Sequence, residues 1–164
     1  MRADRAIAEP SAGRINKTPL RPFSRSLPMA LLRAREAVMR HFRPSLQAAG
    51  LTEQQWRTLR ALDRHNEIDA TRLAGATFLL APSLTRILRD LEGRRLVSRR
   101  PDPGDARVAL IALTDDGEAL VGQVGVDSER IYQAIEARVG PEKLAQLMRE
   151  LAEIEADLGQ PLGI

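Results

Sequence analysis

Apolar side chains recur at alternating spacings of three and four residues along most of the chain, which is the period of one face of an α-helix. The first such run predicts a helix that begins with Ser26 as its N-cap, has Pro28 in its first turn and stops at Gly50. Pro44 falls late in this helix and is expected to bend it or to mark its last turns. The face predicted to point inward consists of Leu31, Ala34, Val38, Phe42 and Leu46.

Three further helices are predicted in close succession. Thr52 and Gln55 form a capping box at the start of the first, and Asp69 caps the second. The third begins around Ala81-Pro82-Ser83, only a few residues after the second ends. Two short helices joined this tightly, the second rich in Ser, Thr and Arg, predict a helix-turn-helix. The predicted inward positions of the three helices are Trp56, Leu59, Leu62, Leu73, Ala74, Leu84, Ile87, Leu88 and Leu91.

The period changes after Leu96. Residues 97–100 and 107–113 are predicted to be strands, and the segment 101–105 between them is dense in turn-forming Pro, Asp and Gly. A β-hairpin directly behind a helix-turn-helix is a wing. The middle of the chain therefore predicts a winged helix-turn-helix.

Two long helices are predicted at the end of the chain, one capped by Thr114 and one opened by Pro141. The apolar residues of the last helix form a two-heptad seam, which suits pairing with another helix better than covering a broad core. This seam predicts dimerisation. Its residues are Leu144, Leu147, Leu151, Ile154 and Leu158.

The predicted fold class is mainly α with a small β-hairpin wing, in which a winged helix-turn-helix DNA-binding lobe is joined to a helical dimerisation lobe. Residues 1–25 mix Pro, Gly, Ser and Arg without apolar periodicity, and they predict a disordered basic arm. The remaining boundaries are 26–50 for the helix shared with the dimerisation lobe, 51–113 for the DNA-binding lobe and 114–160 for the dimerisation helices.

Composition and charge narrow the function. The 164 residues include no Cys and two His, which excludes a disulfide framework and a thiol nucleophile and leaves little material for a histidine-built catalytic site. Residues 71–113 carry eight basic and four acidic side chains, whereas residues 114–164 carry four basic and eleven acidic ones. A basic middle segment followed by an acidic C-terminal segment is expected when the first binds a polyanion and the second binds protein.

The order of parts and several strings of residues resemble the MarR family of winged-helix regulators. The wing pattern of that family, Asp-x-Arg, then a strand and Leu-Thr-x-x-Gly, stands here as Asp105-Ala106-Arg107 and Leu113-Thr114-Asp115-Asp116-Gly117. The resemblance covers residues 26–160. Further strings are similar to the branch that regulates homoprotocatechuate degradation operons, and they span residues 31–37, 42–44, 51–57 and 81–85.

Three features depart from the family pattern. Arg95 stands where the family usually has Gly before the Leu-Val that opens the wing, and here the Gly lies two positions earlier, at Gly93. Ala106 occupies a place where many relatives have a second Arg. The segment before Ser26 is longer than the family leads us to expect.

Candidate DNA contacts lie on the fourth helix and the wing. A recognition helix presents short polar and Arg side chains from its first turns to base edges and phosphates, although an ordinary amphipathic helix with solvated Arg would show the same pattern. Arg107 at the wing tip is predicted to enter an A·T-rich minor groove, with Asp105 holding its guanidinium, and Arg99 and Arg100 are predicted to contact phosphates. The recognition-helix candidates are Ser83, Thr85, Arg86 and Arg89.

The resemblance also implies a ligand pocket where the two lobes meet. The candidate lining is Arg35, Met39 and Phe42 from the first helix and Trp56 from the second. An Arg among apolar and aromatic groups suits a small aromatic carboxylate. The alternative is ordinary core packing with an Arg that extends to the surface.

These observations predict a cytoplasmic transcriptional repressor, an obligate homodimer that binds pseudo-palindromic double-stranded DNA and is released by a small aromatic carboxylate. No cofactor, metal or membrane contact is predicted. A helical dimeric adaptor without sequence-specific DNA binding is the alternative. An enzyme would have to be built on the acidic and histidine residues near the end of the second helix, namely Asp63, His65, Glu67 and Asp69.

Overall fold

The computed structural model describes residues 22–105 and 107–159, and these residues divide into two compact units, the first ending at Ala37 and the second beginning at Val38. The predicted arm before residue 22 lies outside the described residues. None of the helices in the described part of the chain combines the length and the apolar character of a membrane span. In chain order the helices and strands are α1 Leu27–Ala48, α2 Glu53–His65, β1 Glu67–Asp69, α3 Ala70–Thr77, α4 Ala81–Gly93, β2 Val97–Pro101, β3 Ala109–Leu113, α5 Asp115–Val139 and α6 Pro141–Leu158.

In the first unit, one turn of 3-10 helix over Phe23–Arg25 precedes α1. Leu31 was expected to face inward but is exposed. In the second unit the same expectation is wrong for Val38, which is exposed, and right for Phe42 and Leu46, which are buried. An apolar side chain at helical spacing is buried only where another element covers it.

The helix ends follow the capping chemistry of the sequence. Thr52 and Gln55 form the expected capping box, with Thr52 Oγ1 accepting from the Gln55 N–H at 3.1 Å. Asp69 Oδ1 accepts from the backbone N–H of Thr71 and of Arg72, so it caps α3 as expected. Thr114 caps α5 by accepting from the Gly117 N–H at 3.1 Å.

A three-stranded antiparallel sheet in the order β1-β3-β2 completes the lobe. Ile68 of β1 pairs with Ile111 of β3, and Arg100 of β2 pairs with Leu110 of β3. The sequence did not predict β1, and the second wing strand begins at Ala109 rather than at residue 107. Because β1 lies on the outer side of β3, the wing hairpin is joined by hydrogen bonds to the start of the helix-turn-helix.

The core of the lobe lies between α2, α3, α4 and β3. Its fully buried side chains come from all four elements, and they fix which face of α4 remains outside. In contrast, no residue of α6 is buried. The fully buried apolar residues are Leu59, Leu62, Leu73, Leu84, Leu88, Leu91 and Ile111.

The two helices of the helix-turn-helix end in the same way. The Leu79 N–H donates to the Ala74 carbonyl at 3.1 Å, and the Leu96 N–H donates to the Leu91 carbonyl at 2.9 Å. These bonds, from the residue two beyond the cap back into the last turn, define the Schellman motif, whose preceding residue is left-handed and usually Gly. Here that residue is Phe78 at φ 51° in α3 and Arg95 at φ 59° in α4.

Candidate nucleic-acid interface

The exposed face of α4 carries the predicted DNA contacts. Because the buried Leu positions of α4 face the core, Thr85, Arg86 and Arg89 are exposed and Ser83 is half-buried. The Thr85 hydroxyl donates to the Ala81 carbonyl at 2.9 Å and keeps its oxygen as an acceptor. Among residues 22–105 and 107–159, no carboxylate pairs with Arg86 or Arg89. Both guanidinium groups are therefore available to a ligand.

Unlike the arginines of α4, the two arginines of strand β2 are paired with carboxylates. Arg100 Nε donates to Glu67 Oε1 at 2.7 Å, and a second, shorter bond joins the same two side chains across β3. Arg99 Nε lies 2.8 Å from Glu92 Oε1 at the end of α4. Each predicted phosphate contact of β2 is thus already paired with a carboxylate of the lobe.

The Glu67–Arg100 pair also shifts the acidity of both groups. The hydrogen bond from Arg100 lowers the pKa of Glu67 below its ordinary 4.5, and the same bond raises the pKa of Arg100. The pair is exposed, so its contribution to stability is small. What it supplies is geometry, because it joins the two outer strands of the sheet across the central one.

The wing tip differs from the prediction in one contact. Asp105 was expected to hold the guanidinium of Arg107, but its Oδ1 accepts from the backbone N–H of Arg107 at 3.0 Å. Asp102 Oδ1 accepts in the same way from the Gly104 N–H at 2.7 Å. An Asp in a tight turn bonds the backbone two residues on more readily than it reaches a flexible side chain. The Arg107 guanidinium is exposed and has no ion-pair partner in the described residues.

A compact corner joins α4, β2 and α5. Arg95, which stands where the family usually has Gly, is left-handed, and its carbonyl accepts from Thr114 Oγ1 at 2.6 Å. A Cβ on Gly117 would stand 2.0 Å from the carbonyl oxygen of Leu96. The Leu-Thr-x-x-Gly string therefore fastens the end of the recognition helix to the start of α5, and only Gly fits at its last position.

Of the predicted ligand residues, Met39, Phe42 and Trp56 belong to the second unit, whereas Arg35 belongs to the first. Met39 and Trp56 are half-buried against the core, and the ring of Phe42 lies 5.0 Å from that of Tyr132, between centroids. The guanidinium of Arg60 lies 5.8 Å from the ring centroid of Trp56.

Arg35 belongs to the first unit. Its Nη1 lies 2.9 Å from Glu36 Oε1, so its side chain contacts a carboxylate on the next residue of α1.

The predicted dimerisation seam lies open on α6. Leu147 is 45% exposed, Ile154 37% and Leu158 51%, while Leu144 and Leu151 are half-buried. An exposed apolar stripe of this kind is typical of a surface that packs against another protein segment.

The acidic residues on which an enzyme would have to be built make structural contacts instead. Asp63 lies 3.2 Å from Arg60, Glu67 pairs with Arg100 and Asp69 caps α3. In the described part of the chain, no three His, Asp or Glu side chains are placed so that they could hold a metal ion.

Several residues at this interface were missed at the level of sequence. Glu67 and Glu92 were not expected to pair with the wing arginines, and Tyr132 was not expected beside Phe42. Phe78 and Leu80 were not singled out in the sequence, yet they are 81% and 77% exposed. The available clue was the placement of large apolar residues in a turn, where polar residues are usual.

A helix-turn-helix with a cationic outer face, followed by a paired hairpin, defines the class of winged-helix proteins. Comparison with known families agrees, because the model of the MarR family matches residues 49–108. The chain is 43% identical over 131 residues to the homoprotocatechuate degradative operon repressor of Escherichia coli, covering 80% of this chain and 88% of that protein. The chain belongs to the MarR family of transcriptional regulators.

Two solved structures place this likeness in three dimensions. The crystal structure of NadR in complex with 4-hydroxyphenylacetate has a TM-score of 0.73 at 39% identity, covering 84% of this chain and 97% of NadR. The repressor CouR bound to a 23-mer DNA duplex has a TM-score of 0.73 at 28% identity, covering 84% of this chain and 99% of CouR.

Proposed function

We propose that this protein is a transcriptional repressor of an aromatic-acid catabolic operon. The observation that carries the proposal is the set of exposed arginines Arg86 and Arg89 on α4 and Arg107 on the wing, whose guanidinium groups have no carboxylate partner in the described residues. Unpaired arginines on a recognition helix and a wing tip suit base edges and phosphates. The protein acts in the cytoplasm and uses neither a cofactor nor a catalytic step.

The repressor binds DNA as a homodimer. The open stripe of α6 supports this, since a second copy of the same stripe covers it in the way a short coiled coil does. Two equivalent recognition helices then face successive major grooves, so the operator is pseudo-palindromic with half-sites about 10 bp apart.

The dimer is tested by placing charge in the seam. Leu147→Glu combined with Ile154→Glu is expected to give a monomer in sedimentation and to abolish tight DNA binding, because two carboxylates per helix cannot be buried unpaired. Ala145→Glu combined with Ala152→Glu adds the same two charges at exposed positions of α6 outside the seam and is the matched control. A doubly substituted protein that still sediments as a dimer would contradict the assignment of the seam.

The effector is a small aromatic carboxylate. NadR, which has the same fold, has been crystallised with 4-hydroxyphenylacetate, and this chain places Phe42 beside Tyr132 and half-buries Met39 and Trp56 on the same core. Rings of this kind can enclose an aryl group. Arg35 as the partner of the carboxylate stays a prediction from the sequence. To release the operator almost completely, the acid must prefer the non-binding state by about 5 kcal/mol across the dimer.

A gel shift on the DNA upstream of the protein's own gene, at moderate salt, tests the whole proposal. We expect a discrete complex that dissociates as 4-hydroxyphenylacetate or benzoate is added. Arg86→Ala with Arg89→Ala should abolish the complex, whereas Arg138→Ala, an exposed arginine on α5, should not. If the wild-type protein shows no sequence-specific complex on this DNA, the adaptor without DNA recognition becomes the better account.

A further inference from the structure

The turn between α3 and α4 has a residue that is unfavourable for stability at each of two exposed positions, 78 and 80. Phe78 is left-handed at φ 51°, a conformation that Gly adopts without a steric penalty and a side chain with Cβ does not. Leu80 is the N-cap of α4 and makes no side-chain cap bond, although Ser, Thr, Asp or Asn would cap the helix there. Neither residue type is what folding alone would favour at its position.

Both side chains also face water. Phe78 is 81% exposed and Leu80 77%, while Leu79 between them packs against the core. Leu79 therefore anchors the turn and leaves its two neighbours outside. A single exposed apolar residue needs no explanation, but two large ones that flank an anchor form a patch, and here the patch coincides with the two unfavourable backbone sites.

The position of the patch indicates its occupant. Leu80 directly precedes the first turn of α4, and the N-terminal residues of a recognition helix are the ones that reach base edges in the major groove. The groove offers one apolar group, the C5-methyl group of thymine, which Phe and aliphatic side chains contact. The cationic residues of the same helix, Arg86 and Arg89, favour a polyanion over an apolar protein surface.

We propose that Phe78 and Leu80 form an apolar contact with thymine methyl groups and so select thymine at one symmetric pair of operator positions. This assignment rests on the proposed DNA-binding function and adds a specificity determinant to it. The patch works beside the arginines, because methyl contact distinguishes thymine from cytosine without a hydrogen bond. The left-handed backbone at residue 78 is retained because it projects the ring outward from the anchored turn.

Deoxyuridine substitution isolates the methyl group. A duplex of about 25 bp is selected from a random-sequence library with the wild-type protein, and each thymine is then replaced by deoxyuridine, which removes the methyl group and keeps base pairing. We expect wild-type affinity to fall about fourfold for each methyl group at one symmetric pair, the fold-change that corresponds to burying one carbon group of this size, and to change little elsewhere.

Two variants remove the patch without endangering the fold. Phe78→Gly relieves the left-handed backbone and Leu80→Ser supplies a cap, so both should melt at or above the wild-type temperature. We expect each single variant to show a smaller deoxyuridine penalty than the wild-type protein, and the doubly substituted protein to bind the thymine and deoxyuridine duplexes equally. Asn66→Gly, which relieves another left-handed residue at φ 57° without removing an apolar side chain, is the control and should keep the full fourfold penalty.

The outcomes separate this proposal from the function on which it rests. If the wild-type protein selects no sequence, the proposed function itself fails. If it selects a sequence but no deoxyuridine substitution matters, or if both variants keep the penalty, the thymine contact is overturned. Loss of the dimer in sedimentation of Phe78→Gly or Leu80→Ser would assign the patch to a protein interface and would also overturn it.

Discussion

The arginines of the DNA-binding lobe fall into two groups that look alike in the sequence. Arg86 and Arg89 on α4 and Arg107 at the wing tip have no carboxylate partner among the described residues. Arg99 and Arg100 on β2 each contact a glutamate of the lobe. All are exposed and basic, and they lie within one short stretch of chain.

This difference shows that the number of basic residues in a segment does not give the number of its contacts with DNA. An arginine that is paired in the free protein brings no net charge to the phosphates unless it gives up its partner, and it releases correspondingly fewer counterions. Its value lies in holding the sheet in shape. The unpaired arginines should therefore dominate the affinity for DNA and its salt dependence. Substitutions at Arg86, Arg107, Arg95 and Arg100 can test this distinction between unpaired and paired arginines.

Arg86→Ala should produce the largest effect. A bidentate base contact contributes about 1–3 kcal/mol of discrimination, and the dimer makes it twice, so operator affinity should fall by at least about thirtyfold. Preference should relax at one symmetric pair of positions. Affinities on an operator panel with single base changes measure this, and an unchanged preference at every position would show that Arg86 contacts only the backbone.

Arg107→Ala should have a smaller effect that depends on sequence. An arginine in a narrow minor groove senses groove width, so affinity should fall most on operators with A·T-rich flanks and least with G·C-rich flanks. The salt slope should become shallower by about 0.9 for each subunit. Asp105→Ala should give a weaker form of the same result, since it loosens the backbone of the tip. Equal losses on every flank would reduce the wing to a phosphate clamp.

Arg95→Gly should separate stability from binding. The left-handed backbone at this corner costs an Arg about 1 kcal/mol, and its removal should raise Tm by about 2–4 °C for a chain of this size. Operator affinity should fall modestly, with a shallower salt slope, if the exposed guanidinium contacts a phosphate. A melting temperature below that of the wild-type protein would show that the corner needs the Arg side chain itself.

Arg100→Gln should have the smallest effect, with a salt slope close to that of the wild-type protein, because the charge removed is already paired. Glu67→Gln is its counterpart, since it frees Arg100 and should steepen the slope by up to about 0.9 for each subunit. A slope that falls as much in Arg100→Gln as in Arg107→Ala would remove the distinction between the two groups.

The same pair sets a pH window. The pKa of Glu67 is lowered in the folded protein, so the contribution of the pair to stability is complete above the ordinary value of 4.5 and is lost only as pH falls through the lower folded value. Wild-type and Glu67→Gln proteins should therefore differ in thermal stability by a small and constant amount between pH 5 and pH 8, because the pair is exposed to solvent. The difference should shrink in stronger acid.

Local signals in the sequence predicted the fold well and the contacts between distant residues poorly. The starts of α2, α3 and α5 could be predicted from their N-caps, Thr52, Asp69 and Thr114, because an N-cap residue bonds to a backbone N–H only two or three residues further on. Strand β1 was missed because its three residues contain one inward side chain, Ile68, which is too short a pattern to show a period of two. It exists because β3 pairs with it.

The site shows the same division between local and distant contacts. The exposed face of α4 followed from helical spacing, but the pair between Glu67 and Arg100 joins residues far apart in the chain, and only the order of strands brings them together. Asp105 illustrates a choice between two nearby partners, which the turn geometry decided in favour of the backbone.

The tight corner between α4 and α5 couples the orientation of α5 to the position of the recognition helix α4. Thr114 is fastened to the carbonyl of Arg95, and Gly117 lies so close to Leu96 that the joint has no slack. With 25 residues, α5 is about 37 Å long, so a tilt of about 5° about its far end carries the recognition helix through about 3 Å, close to the 3.4 Å rise between base pairs. A small molecule that tilts this arm can therefore put the two subunits out of register with the double helix while each winged helix stays undeformed.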